Sequence, residues 1–174
     1  MSIVVETDRL TLREFIPEDA LSMFELNNDA LVVRYTGDKP FSSIQEAEKF
    51  ILHYSAYKET GFGRWAVVRN SDGRFLGWSG LKLNEEGLND IGFRIFRDCW
   101  GEGYATEAAR ASLNLGFEKY SLDEIIGRTA RENLASIRVL EKIGMKKWKT
   151  GACEGFADAI YYRIDQASYQ NGNE

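Results

Sequence analysis

"RDCWGEGYATEAARASLNLGFEKY", residues 97–120, sets two glycines around a glutamate and passes directly into alanine-rich sequence. From Ala105 to about Tyr120, the residues Ala108, Ala109, Leu113 and Phe117 recur at helical spacing, which predicts a helix with one apolar flank turned to a sheet. A helix start carries N–H groups without intrahelical partners and a partial positive charge. Gly101 and Gly103 remove side chains where the main chain would wrap an anion, and Ala105 keeps the entrance uncrowded. The ligand this suggests is a diphosphate. A tight strand-to-helix turn without any ligand is the plainer alternative for the same residues. The segment is not a P-loop, because Lys and Ser or Thr are missing after the second glycine, and it is not the three-glycine dinucleotide fingerprint.

Upstream, "GRWAVVRNSDGRFLGWSGLKLNEEGLNDIGFRIF", residues 63–96, shows three apolar runs separated by turn signals at Asn70 to Gly73 and Asn84 to Gly87, and predicts a meander of three strands. Earlier, "RLTLREF" alternates from Leu10 as a first strand, and "PEDA" opens a helix running to about Asn27. "SSIQEAEKFILHYSAYKE", residues 42–59, carries Ser42 or Ser43 as a cap with Glu46 in reach and reads as a second helix. Downstream, "DEIIGRTA" is a strand. "NLASIRVLEKIGM" places Leu134, Ile137, Leu140 and Ile143 along one flank of a helix that Gly144 ends. "KKWKTGAC" and "ADAIYYRIDQ" close the chain as two strands, followed by a short polar tail. The expectation is one α/β (α+β) domain over residues 1–174, with a core from about 6 to 165. It has a mixed, mostly antiparallel seven-stranded sheet covered by about four helices.

Composition narrows the function classes. The chain has 174 residues, 44% hydrophobic and 28% charged, the ordinary chemistry of a single globular unit. No stretch approaches the roughly 20 apolar residues of a membrane span and the start lacks a signal-peptide pattern, so a cytoplasmic protein without a membrane partner is expected. Cys99 and Cys153 are too few for a disulfide framework, and with the single His53 no metal-ligand spacing arises. Twenty-two basic against twenty-seven acidic residues argue against a nucleic-acid surface.

"DIGFRIFRDCWGEGYATEAARASLNLGF" and then "RENLASIRVLEKIGM" resemble the acetyl-coenzyme A loop and following strand-helix unit of the GNAT superfamily of N-acetyltransferases. "ETDRLTLREFIPEDA" is similar to the opening of its RimJ/RimL-like branch, the ribosomal-protein N-terminal acetyltransferase type. The resemblance spans about residues 6 to 165. It implies that the N–H groups of Gly101, Glu102, Gly103, Tyr104, Ala105 and Thr106 hold the coenzyme A diphosphate. Main chain at Arg94, Ile95, Phe96 and Arg97 would bind pantetheine like an added strand, where this strand splays from the parallel "DEIIGRT". The family's loop usually begins with Gln or Arg where this chain has Trp100, which shifts phosphate binding onto the backbone. Many relatives pair, so a homodimer is one arrangement the resemblance allows.

The resemblance further implies acetyl transfer to an amine-bearing acceptor by direct attack in a ternary complex, with acetyl-coenzyme A as cosubstrate and no metal. At pH 7, neutralising an α-amine costs roughly 1 kcal/mol and a lysine-like amine roughly 4.6 kcal/mol, so weak basic machinery suits a protein or peptide N-terminal amine. A main-chain N–H near Ile95 or Phe96 would polarise the thioester carbonyl. Many relatives protonate the departing thiolate with a helix tyrosine. Here that position is Leu140, and Ser136, one turn earlier, or a water it holds, is the replacement donor. Ser136 as a backbone-bonded helix residue is the alternative. Asn133 caps that helix or binds pantetheine, and Arg138 and Lys142 are candidates for the 3′-phosphate unless they only solvate a helix face. Glu14, Asp90, Glu154 and Asp158 are candidate general bases, of which Glu154 resembles the branch's carboxylate in placement. Trp65, Trp78, Tyr35 and Phe62 line the acceptor groove or fill the core. A small-molecule acceptor, or a coenzyme-binding module without chemistry, are the competing functions.

Overall fold

The computed structural model describes residues 2–153 and 155–172. The first strand, β1 (Ile3–Glu6), turns back at Thr7 into β2 (Leu10–Arg13). A 3-10 turn at Pro17–Asp19 leads into α1 (Ala20–Asn28), followed by α2 (Ala30–Val33), α3 (Ile44–Leu52) and α4 (Ala56–Glu59). The meander β3 (Arg64–Arg69), β4 (Phe75–Leu83) and β5 (Asn89–Ile95) follows, with its turns where the Asn-to-Gly signals stand. Then come α5 (Tyr104–Asn114), β6 (Glu124–Ala130), α6 (Leu134–Lys142), β7 (Lys146–Cys153), β8 (Phe156–Asp165) and α7 (Gln166–Gly172). All the strands join one sheet in the order β1-β2-β3-β4-β5-β6-β8-β7. Every neighbouring pair is antiparallel except β5 and β6.

Strand alternation sorts the core onto two faces. Leu10, Leu12, Trp65, Val67, Leu76, Leu81, Ile91 and Ile95 point to one face and are covered by Ala108, Ala109, Leu113 and Phe117 of α5, as its periodicity predicts. Ala66, Phe75, Trp78 and Phe96 point to the other, beneath Ala20, Met23 and Leu26 of α1 and Ala47 and Ile51 of α3. Beyond Asn114 the helix continues through Leu115–Lys119 as a π-turn, closed by the Tyr120 N–H donating to the Leu115 carbonyl at 3.0 Å. At the start of α3, Ser43 accepts from the Glu46 N–H at 3.1 Å while the Glu46 carboxylate takes the Ser42 N–H and hydroxyl. That reciprocal cap fixes the helix entrance.

Three expectations are corrected. The sheet has eight strands rather than seven, because Ile3–Glu6 pairs along β2 as a half-exposed edge. The second helix does not run to Glu59: it stops at Leu52, and the chain bends so that two tyrosines clamp one residue of β3. The Tyr54 oxygen accepts from the Arg64 N–H at 2.7 Å, and the Tyr57 hydroxyl donates to the Arg64 carbonyl. The polar tail begins later than expected, since Gln166–Gly172 is α7. Its Tyr169 is buried, stacks on Phe117 at 4.7 Å and donates to Glu118 at 2.6 Å.

One buried pair ties the first hairpin to the helical face. Arg13 donates through both terminal nitrogens to Asp19 at 2.7 Å, and both residues are under a tenth exposed. Removing one partner strands a desolvated charge, a loss of about 3–5 kcal/mol for pairs of this kind. Arg13→Ala is therefore expected to lower unfolding free energy by about that amount in urea titration; a loss below about 1 kcal/mol would show that water reaches Asp19 and replaces the guanidinium.

Candidate active site

The parallel pair β5/β6 is joined at Asp90 with Ile126 and at Ile91 with Gly127, and nowhere beyond. Past that point the strands diverge, so the later part of β5 keeps only β4 as a neighbour. The Phe96 N–H donates to the Leu76 carbonyl at 2.8 Å, which turns Phe96 and, by the two-residue alternation of an antiparallel ladder, Arg94 toward β4. Phe93 and Ile95 therefore direct their main-chain groups into the gap. Of the residues expected to polarise a carbonyl, Ile95 is the one so directed. Its own carbonyl already accepts from the Trp100 indole N–H at 2.8 Å.

Helix packing holds this gap open. Leu140 is 2% exposed, and its Cδ2 lies 2.7 Å from where a Cβ on Gly127 would stand. Leucine at this point wedges α6 against the last paired residue of β6 and places no ionisable group there.

The chain leaves β5 through a 3-10 turn at Arg97–Cys99 and reaches Gly101 and Gly103, both at φ +80. That left-handed conformation is strained for residues with a Cβ. Gly103 caps α5 through its carbonyl, which accepts the Glu107 N–H at 3.0 Å. None of the N–H groups from Gly101 through Thr106 has a partner among the described residues. An ordinary helix leaves its first four N–H groups open; here the open run begins in the loop before the helix.

Across the gap, α6 begins soon after β6 ends. The Asn133 side-chain oxygen accepts the Ser136 N–H at 3.3 Å and caps the helix. The Ser136 hydroxyl is half-buried and has no partner among the described residues. Arg138 is exposed and stands about 200° round the helix from Ser136. Lys142 lies about 13 Å down the axis from Asn133, with its carbonyl accepting from Arg110 at 2.7 Å. It borders an 820 Å³ groove along α5 that starts at Gly103 and Thr106. Asn133 and Ser136 thus stand in the first turn of α6, just after β6, and Lys142 at the other end of that helix.

The other sheet face holds what the sequence did not disclose. Arg94 is buried there. It donates to Asn27 and, at 2.5 Å, to Asp38, and its guanidinium lies 5.0 Å from the Trp78 ring centre. Its side chain is thus turned from the loop, and Arg97 likewise points outward to Asp29 at 3.0 Å. Arg64 also lies over the Trp78 ring, at 5.3 Å, and donates to the carbonyls of Gly80 and Asp90. It lies over Gly92, 2.7 Å from where a Cβ would stand. Glycines at facing positions of adjacent strands, Gly80 and Gly92, were the available signal that something lies flat on the sheet.

The candidate bases differ sharply in freedom. Asp90 is 5% exposed and pairs with Arg128 at 2.6 Å; burial pushes its carboxyl up from the usual range, against the pull of Arg64 and Arg128. Asp158 is exposed and held by Arg131 at 2.7 Å, which lowers its pKa. Glu14 follows the end of β2, on the far side of β3 and β4 from β5. Glu154 lies outside the described residues. Trp65 and Phe62 are core, while Tyr35 lies beneath Arg34 at 5.1 Å. No cluster of metal-ligating side chains and no helix long and apolar enough to cross a membrane occurs among the described residues.

Comparison with known proteins agrees with this geometry. The acetyltransferase (GNAT) domain matches residues 9–146. An uncharacterized N-acetyltransferase of Bacillus subtilis, YoaA, is 30% identical over 172 residues, covering 97% of this chain and 90% of that one. The crystal structure of a GNAT-family acetyltransferase from Bacillus anthracis superposes with a TM-score of 0.79 at 29% identity, over 96% of this chain and 99% of that one. The spermidine N-acetyltransferase of Vibrio cholerae, in complex with CoA and spermine, superposes with a TM-score of 0.81 at 22% identity, over 95% and 100%. With that match across most of its length and with these relatives, the chain belongs to the GNAT family and is an acetyltransferase.

Proposed function

We propose that this acetyltransferase moves an acetyl group from acetyl-coenzyme A to the α-amine of a peptide or protein, in the manner of the RimJ/RimL-like branch. The observation that carries the coenzyme assignment is the run of unpartnered N–H groups from Gly101 through Thr106, at the head of α5 and beside the diverging strands. These donors suit a diphosphate, and a Cβ at Gly101 or Gly103 would strain the turn that aims them. The Vibrio cholerae neighbour holds CoA in this fold, which supports the same reading here. Acetyl-coenzyme A supplies the activated acyl carbon. The main-chain groups of Phe93 and the Ile95 N–H line the gap where pantetheine would add as a strand, and the Ile95 N–H polarises the acetyl carbonyl. The Ser136 hydroxyl, or a water it holds, gives a proton to the departing sulfur. Asn133 fixes the helix turn that presents it.

Cys99 is buried, and burial raises its thiol pKa, which disfavours the thiolate an acyl carrier would use. In our reading the amine attacks the thioester directly, with neither Cys99 nor Cys153 carrying the acyl group. The acceptor choice follows from the bases: Asp90, Asp158 and Glu107 are each engaged by a guanidinium, which leaves little basicity for a strongly protonated amine. Glu154 is the base in our reading, because Glu14, the other candidate, follows β2 on the far side of β3 and β4 from β5. A small amine acceptor is the second reading, favoured by the spermine held in the Vibrio cholerae neighbour.

At equal fit, the difference between an α-amine and a lysine-like amine in neutral fraction at pH 7 is about 400-fold. Peptides with free N-termini are expected to exceed polyamines and aminoglycosides in kcat/KM, with a rate rising through about pH 7.8; faster turnover of the small amines would replace the peptide assignment. Ser136→Ala should lower kcat by about a hundredfold with coenzyme affinity unchanged, whereas wild-type turnover would remove Ser136 from the reaction. Gly103→Asp sets a carboxylate against the phosphates and should weaken coenzyme A binding at least about tenfold by calorimetry. Undiminished affinity would count against the loop.

A further inference from the structure

We propose that Arg9, on the turn between β1 and β2, is a diphosphate ligand that supplies the side-chain cation missing at Trp100. The proposal rests on the reading of the glycine loop as the diphosphate cradle, and it adds a residue from outside that loop.

Glu107 stands one turn into α5, where a free carboxylate would repel an anion at the helix head. It is instead turned out to the first hairpin. One carboxylate oxygen accepts from the Thr7 hydroxyl at 2.6 Å and the Arg9 N–H at 3.1 Å, and the other accepts from Arg9 Nε at 2.7 Å. Burial works against its charge, yet these donors hold its pKa below the usual glutamate value. Its charge is thereby spent on Arg9.

The same contacts aim the guanidinium. Nε is held by Glu107, Nη1 donates to the Glu102 carbonyl at 2.9 Å, and the plane rests on the Tyr104 ring with Cζ 4.6 Å from its centre. Nη2 has no partner among the described residues and lies 3.5 Å from where a Cβ on Gly103 would stand. An arginine pinned by two of its nitrogens thus presents the third to the open face of Gly103, beside the unpartnered N–H groups. A charged donor in that position makes a stronger bond to a phosphate oxygen than a further amide would. Because Glu102 gives up its carbonyl to Nη1, the same arginine also draws that electronegative atom away from the anion.

The test is calorimetric binding of coenzyme A, dephospho-coenzyme A and S-acetylpantetheine to the wild type, Arg9→Ala and Arg9→Lys. Arg9→Ala is expected to weaken coenzyme A and dephospho-coenzyme A alike, by roughly ten- to a hundredfold, the range for a hydrogen bond to a charged group. S-acetylpantetheine affinity should not change, and Arg9→Lys should recover part of the loss. An equal loss for S-acetylpantetheine would reduce Arg9 to a structural clasp, and a loss confined to coenzyme A would move it to the 3′-phosphate. Should wild-type protein bind dephospho-coenzyme A no better than S-acetylpantetheine, the cradle assignment itself falls, an outcome separate from the failure of Arg9.

Discussion

The site depends on a parallel strand pair that is allowed to form only at its base. After Ile91 meets Gly127, β5 and β6 part, and main-chain groups that a continuous sheet would satisfy are left facing a gap. Buried backbone donors without partners are costly, so such a gap persists only where the surrounding packing enforces it. Two helices do so here. One covers the sheet with the small side chains of Ala108 and Ala109; the other drives Leu140 against Gly127 at the point of parting. The open donors of the loop and helix head follow β5 directly along the chain, which suits an extended, phosphorylated carrier.

Much of this was legible in the sequence because it is local. Alternation in "RLTLREF", the Asn-to-Gly turns and the spacing of Ala108, Leu113 and Phe117 each encode an element by themselves. What escaped was set by contacts distant along the chain. Ile3–Glu6 is a strand because β2 offers it an edge, and the break after Leu52 exists because Tyr54 and Tyr57 dock on Arg64. Gln166–Gly172 is helical around the single apolar anchor Tyr169. The glycine loop was readable as a place for an anion. The guanidinium beside it was not, since Arg9 and Glu107 stand far apart in sequence and only the fold unites them.

The two sheet faces are chemically unlike. The face under α5 is apolar, whereas the face under α1 and α3 carries Arg64, Arg94 and Arg128 around Trp78 and Asp90. Those arginines engage carbonyls, an amide oxygen and carboxylates, which keeps their charge compatible with burial. The arrangement fastens β3, β4, β5 and β6 together across the level at which the parallel pair opens. Rigidity of that floor is what keeps the main-chain donors of β5 in place without help from β6.

The sheet also ends in an open edge. β7 is exposed along most of its length and carries Lys146, Lys147 and Lys149, the last with its ammonium against the rings of Trp148 and Tyr161. Two copies meeting strand to strand along this border would crowd like charges on both sides of the seam. Coulomb repulsion makes this border a poor template for polymerisation in dilute salt. Because added ions mute that repulsion, strand-to-strand contact along this border is opposed less at high ionic strength.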